Sequence, residues 1–162
     1  MAEDVQTYKK RLLGYLGDQD PINILSGTPE RLRQLLEQST SENKPSSDRW
    51  SRLQLLAHFT EGEMVFAVRL RIIATDSGAN IQAYNQEKFM GRAGYLFEQP
   101  EKTFELFSAI RSANLSYLKN LPEEAWENYG IHSERGKETI RDIVSLYAAH
   151  DLNHLKQFES AS

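Results

Sequence analysis

Cysteine is absent from this 162-residue chain. That removes any disulfide framework, any thiolate metal ligand and any cysteine nucleophile, so a bound metal would have to be held by nitrogen and oxygen. A basic surplus is missing too. The formal net charge is -4, and no stripe of Lys and Arg is interleaved with aromatics, which argues against a nucleic-acid-binding surface. No apolar run approaches the roughly 18 residues that span a bilayer, and the N-terminal MAEDVQTYKKRL has no apolar h-region. The expectation is a cytoplasmic protein that engages neither membrane nor nucleic acid. Several catalytic signatures are also lacking: G-x-S-x-G, a glycine-rich phosphate loop and HExxH. The paired ExxH motifs of a di-iron bundle do not occur, and Glu61 follows His58 in the reversed order HxxE without a matching partner.

What remains is ordinary for a globular chain, with 40% hydrophobic and 26% charged residues. The length fits one domain over residues 1–162. Helical periodicity dominates, and no segment alternates convincingly at the period of a strand. A first segment from Asp4 to Leu16 carries Val5, Tyr8, Leu12 and Leu16 (or Tyr15) at helical spacing and ends in the turn Gly17 to Pro21. A second is expected to start at Thr28-Pro29-Glu30, with Thr28 as N-cap, Pro29 at the first helical position and Leu32, Leu35 and Leu36 buried. The polar run Ser39 to Asp48, with Pro45, reads as a loop.

A long helix then opens on Ser51 and Gln54, a capping box, and carries Leu55, Leu56, Phe59, Val65, Phe66, Leu70 and Ile73 to about Ala74. Asp76 to Gly94 reads as irregular or as a short helix, with the aromatics Tyr84, Phe89 and Tyr95. The next helix runs from near Pro100 to about Leu121, where Pro122 stops it, and Pro122 to Trp126 forms a short turn. Tyr129 to Lys137 reads as a loop, after which Thr139, with Asp142 three residues on, caps the last helix. The fold class is therefore all-α. It is a four-helix bundle with a core of about 28–158, an extra N-terminal helix outside or at one end, and a long irregular connection between the second and third bundle helices.

The chemistry-bearing residues sit in this framework. His150 and His154, in AAHDLNHLKQF, are four apart and project from one helix face. That face continues through Ile143, Tyr147 and Phe158, so the two imidazoles stand where core residues would. His58 lies on the line Leu55, His58, Gly62, Val65 of another helix and also faces inward. A lone inward histidine is more often a hydrogen-bonded core residue, but three of them favour a metal site with open coordination positions. Gly62 is unfavourable in a helix interior by about 1 kcal/mol. It either leaves room beside His58 or merely permits close helix packing. Gln157 shares the face of His154 and could bond a substrate or a metal-bound water, against the plainer reading of a solvated residue at a fraying helix end. Asp151 and Glu63 are candidates to accept from the far imidazole nitrogens, against the plainer reading of surface carboxylates. Tyr147 lines the same pocket or is a core tyrosine. His132, in the loop, could contact a substrate, against the favoured reading that it is exposed or loop-structuring. No catalytic residue is singled out beyond this set.

Three stretches in order, Trp50-Ser51 with LQLLAHFTEGE, then GIHSERGKETIRDIV, then YAAHDLNHLKQ, resemble the DinB-like superfamily with its YfiT-like members. The resemblance covers about Thr28 to Phe158, and the earlier YKKRLLGYLGDQDPINIL is similar to one subgroup. It implies a bacterial four-helix bundle, often a homodimer, that binds a divalent metal such as zinc or nickel through His58, His150 and His154. It implies a small-molecule substrate and chemistry such as S-transfer from a low-molecular-weight thiol (bacillithiol or mycothiol), hydrolysis or isomerisation. A non-enzymatic metal- or ligand-binding bundle, or a stress-associated dimer whose histidines bind nothing, is the competing reading.

Overall fold

The computed structural model describes residues 4–37, 50–97 and 99–160, without the side chains of Tyr95 and Phe97. The expected loop Ser39 to Asp48 and the side chain of Tyr95 therefore lie outside the described residues. Four long helices make the bundle: α2 (Pro21–Glu37), α3 (Arg52–Thr75), α6 (Pro100–Lys119) and α7 (Ile140–Ser160). Helix α1 (Val5–Leu16) lies along α7 on the outside. Between α3 and α6 run a short strand β1 (Asn80–Ile81) and the short helices α4 (Gln86–Met90) and α5 (Gly94–Phe97). A 3-10 turn (Glu123–Glu127) and the strands β2 (Tyr129–His132) and β3 (Gly136–Thr139) lead into α7. No described helix is long and apolar enough to cross a membrane.

Local signals explain most boundaries. Asp4 accepts from the backbone of Gln6 and Thr7 at the start of α1. Ser51 and Gln54 exchange bonds as a capping box at the start of α3. The Thr139 hydroxyl accepts from the Asp142 N–H, and Asp142 accepts from the Thr139 N–H, at the start of α7.

Two expectations are corrected. Helix α2 begins at Pro21, not Thr28. Asp20 accepts from the Asn23 N–H as the cap, with Pro21 in the first helical position and Pro29 inside the helix. An interior proline leaves the carbonyl four residues back without its N–H donor, and here the Arg111 guanidinium donates to that carbonyl, Leu25 O, at 2.8 Å. A tertiary donor thus offsets part of the local cost.

The second correction is the segment Tyr129 to Lys137, which forms a hairpin. Strand β2 pairs antiparallel with β3 and parallel with β1. Its inward residues are Gly130 and His132, while Ile131 points out, 39% exposed. The alternation is therefore inverted against the usual apolar-in pattern and does not read as a strand. Gly130 is required by contact, since a Cβ there would stand 2.6 Å from Ile81 Cγ1. Gly136 turns the hairpin at φ +77°.

The two larger apolar clusters of the core have a polar layer between them, and a third, small one holds Ala57, Ala93 and Leu96. Of the larger two, one holds Leu12, Leu25, Phe66, Leu70, Ile73, Val144 and Ala148, among others. The other holds Leu32, Leu55, Leu56, Phe59, Phe107 and Phe158. On each bundle helix a buried polar residue falls between them in sequence: Thr28 on α2, Glu63 on α3, Arg111 and Asn114 on α6, Asp151 on α7. The three histidines belong to the same stretch of the bundle.

Candidate metal centre

His58 comes from α3, and His150 and His154 come from successive turns of α7. Their ring nitrogens converge. His58 Nε2 is 2.8 Å from His150 Nε2 and 3.2 Å from His154 Nε2, and one nitrogen from each ring lies within 4.8 Å of the others. Three nitrogens sharing one tetrahedral ion at about 2.0 to 2.1 Å would stand about 3.3 Å apart, so the observed spacing is slightly contracted. Trp50 packs on the His58 ring at 4.7 Å between centroids and lies nearly parallel to His154 at 6.3 Å. Phe59 stands edge-on to both α7 histidines. This aromatic wall keeps water from the rings on that side.

Burial makes the imidazoles weak bases. Desolvation, with His154 nearby, pushes His58 down to about 3. His150 is held well below the ordinary histidine value by desolvation, by the other two rings and by the Arg111 cation. His154 is also lowered by burial, and Gln157 and Asp151 oppose part of that shift. All three are therefore neutral near pH 7, with lone pairs available. Protons satisfy such a trio badly, because one N–H can serve only one contact. A cation at the centre serves all three lone pairs at once, so the donor set fits a divalent metal.

The neighbours take up specific positions. Gln157 Oε1 lies 2.8 Å from His154 Nδ1. It fixes the proton there and turns the Nε2 lone pair to the cluster. The Nδ1 atom of His150 is buried with no partner among the described residues. Asp151 and Glu63 do not take the far imidazole nitrogens as the sequence suggested, nor are they surface carboxylates. Both are about 1% exposed and flank Arg111. Arg111 donates to Asp151 at 2.7 Å and to Glu63 at 2.8 Å, Thr28 donates to Asp151, and Asn114 donates to Glu63. Burial alone would lower the Arg111 pKa, but the two carboxylates raise it above its ordinary value. This network ties all four bundle helices together immediately behind the histidines.

A cleft of about 210 Å³ adjoins the cluster, lined at this end by His150, Gly62 and Tyr147. Gly62 is beside His150 and not, as expected, beside His58. A Cβ there would meet only His150 Cε1, at 3.9 Å. Tyr147 stacks on Phe66 at 4.2 Å, and burial raises its pKa. The cleft follows α3 to Arg69 and reaches His132 and Arg135 on the hairpin. Gly62 and Arg69 are two turns apart, so the cleft is about 10 Å long. His132 is 3% exposed, which removes the exposed reading, and it structures the loop by accepting from the Glu134 and Arg135 N–H groups.

Arg111, Asn114 and Arg69 carry parts of this arrangement that no motif announced, and Trp50, at the head of the first resembling stretch, was given no role there. The signal for Arg111 was available. It falls on the stripe Phe107, Arg111, Asn114, Leu118, all buried, in the way the histidines interrupt the stripe of α7.

Residues 24–158 match the family model of the DinB superfamily. The chain belongs to that superfamily. It is 24% identical over 143 residues to a protein of Oceanobacillus iheyensis named as a candidate metal-dependent hydrolase, covering 86% of this chain and 82% of the relative. A second protein of that organism with the same designation is 23% identical over 112 residues, covering 69% and 64%. Among solved structures the fold is similar to YfiT from Bacillus subtilis, described as a probable metal-dependent hydrolase with an unusual four-helix bundle topology. The TM-score is 0.80 at 17% identity, covering 99% of this chain and 89% of YfiT.

Proposed function

We propose that this protein is a divalent-metal-dependent enzyme acting on a small molecule, with hydrolysis as its reaction. The observation that carries this is the convergence of three neutral imidazoles, with no carboxylate of the described residues joining them, at the end of a cleft. His58, His150 and His154 would hold the ion. A divalent ion bound by three imidazoles supplies a Lewis acid and lowers the pKa of a water or a thiol.

The chain's own residues do the rest. Gln157 sets the His154 tautomer, and Trp50 and Phe59 exclude water from one side. The Arg111 network fixes the α3–α7 separation on which convergence depends, and Gly62 keeps the wall of the cleft low beside His150. Positioning of this kind matters because a displacement of about 1 Å can cost two orders of magnitude in rate.

The dimensions of the cleft support a second form of the same chemistry. It extends about 10 Å beyond the cluster, enough for the body of a low-molecular-weight thiol beside an electrophile, and with a thiol in place of water the centre would be an S-transferase. Zinc or nickel suits the imidazole set.

The test is a screen of the zinc- and nickel-loaded protein against ester, amide and phosphoester substrates, and against electrophiles with added thiols. Metal-dependent turnover that disappears in His58→Ala supports an enzyme, and the substrate class separates the two forms. A loaded protein without turnover in either screen, whose ion exchanges no ligand with solvent, would leave a non-enzymatic metal-binding bundle.

A further inference from the structure

We propose that the hairpin end of the cleft is a recognition subsite for a carboxylate on the substrate, with the Nε2–H of His132 as its fixed donor. The proposal rests on the cleft serving the metal centre described above, and it adds the chemical class of the molecule that would occupy it.

The tautomer of His132 follows from its bonds. Nδ1 accepts from two backbone N–H groups, those of Glu134 at 3.2 Å and Arg135 at 3.3 Å. An atom that accepts twice carries no proton, so in the neutral ring the proton is on Nε2. Burial, with Arg135 and Arg69 nearby, pushes the pKa down to about 4, so the neutral ring is the form at pH 7. Nε2 is nevertheless buried without a partner among the described residues. A buried N–H left without an acceptor costs about 1 to 3 kcal/mol, and proteins retain few such groups unless something else fills the position. His132 lines the cleft, and its ring is locked by the hairpin, so the donor is held in place before any ligand arrives.

The surroundings specify the acceptor. Arg69 lines the same end, held by the Gln82 carbonyl and lying over the Tyr84 ring. Arg135 lines it too, with Nε and Nη2 engaged by Glu138, which also accepts from Lys9. A guanidinium has five N–H donors, so both arginines keep further donors for a ligand. Glu134 is on the same wall, and Glu61 lies close to Tyr84. Together with Glu138, these acids match the charges of Arg69, Arg135 and Lys9, so the donor set, and not a net positive charge, would select the ligand. A carboxylate, with two oxygens and about four lone-pair sites, matches the N–H donors that His132, Arg69 and Arg135 bring to one end of the cleft. Leu12, Leu146, Tyr8 and Tyr84 supply apolar and aromatic lining between this end and His150. The substrate class that fits is a small carboxylic acid with an apolar or aromatic body and its reactive group at the far end.

Benzoate is a suitable probe. Full-length, metal-free protein labelled with 15N-histidine would be titrated with sodium benzoate at pH 7.5. The His132 Nε2 resonance is expected to shift and saturate. His132→Asn places Oδ1 where Nδ1 stands, which keeps the hairpin bonds and deletes the Nε2 donor. Its benzoate affinity should fall about ten- to a hundredfold, with melting temperature and zinc stoichiometry unchanged. A His132 signal unmoved at saturating benzoate, or equal affinity in His132→Asn, overturns the proposal. The wild-type titration decides the matter on its own if the variant folds poorly. Failure of the wild type to bind zinc would instead overturn the metal reading, and the metal-free titration keeps the two failures apart.

Discussion

Two buried polar clusters lie side by side on α3 and α7, and they are built on opposite terms. Around Arg111 the charged groups are paired: two carboxylates face one guanidinium, Asn114 and Thr28 close remaining positions, and the Arg111 Nε is left without a partner among the described residues. Around His58 the partners are wrong for one another, since three neutral imidazoles point ring nitrogens at a common centre. The first cluster pairs its charges within the chain, apart from that one N–H, and serves the fold. The second is left incomplete by the chain alone and serves a ligand. Buried polar residues interrupting an apolar stripe can thus mean either thing, and what separates them is whether the chain satisfies them.

The comparison breaks most visibly if the charge-paired cluster is opened. Arg111→Met leaves Asp151 and Glu63 buried without a cation, and losing one member of a buried ion network costs about 3 to 5 kcal/mol. A melting temperature lower by about 6 to 20 °C is expected, taking about 2 to 4 °C per kcal/mol for a chain of this size. An unchanged melt would mean the network contributes little to the fold. An apolar change of similar cost gives the control: Leu56→Ala, 1% exposed in the core, should cost about 2 to 5 kcal/mol by cavity formation while zinc stoichiometry in the cold stays the same.

Acid separates the clusters more gently. The unfolded chain takes up histidine protons near pH 6.5, whereas folded His58 resists to about 3, so the unfolded state binds more protons in between. The metal-free protein should therefore have its full histidine contribution above about pH 6.5 and lose it progressively towards pH 3, at up to about 1.4 kcal/mol per pH unit for each such histidine. Urea titrations at several pH values should give a shallower slope for His58→Phe than for wild type. Identical slopes would contradict a buried neutral cluster. Smaller still is the effect of Gln157→Leu, which removes the bond to His154 Nδ1. It should weaken zinc binding about 10- to 100-fold without changing the melt of the metal-free protein. Gly62→Ala is expected to stabilise α3 by up to about 1 kcal/mol, because its Cβ meets His150 only at 3.9 Å. Chemical denaturation of this variant, with zinc affinity measured alongside, checks whether Gly62 is kept for the cleft and not for packing.

The sequence was legible where periodicity and capping agree. The ends of α3, α6 and α7 follow from the Ser51 capping box, Pro100 with Pro122, and Thr139 with Asp142, and inward periodicity singles out the histidines that converge. It was illegible where a distant residue changes a local rule. Pro29 reads as a helix start because nothing nearby reveals that Arg111 will take the Leu25 carbonyl. The hairpin hides because its inward positions hold glycine and histidine while Ile131 faces out. Asp151 and Glu63 were located beside the histidines, but their partner on α6 could not be read without knowing which helices face each other.

The most direct measurement is zinc titration by calorimetry of the untagged, chelator-stripped protein, run in parallel on His58→Ala, His150→Ala and His154→Ala. One zinc per chain is expected for the wild type, with affinity lower by at least about two orders of magnitude in each variant, while the metal-free melts remain close to that of the wild type. Stoichiometric zinc binding that survives any one of the three substitutions, or no binding by the wild type, would contradict a shared three-histidine centre.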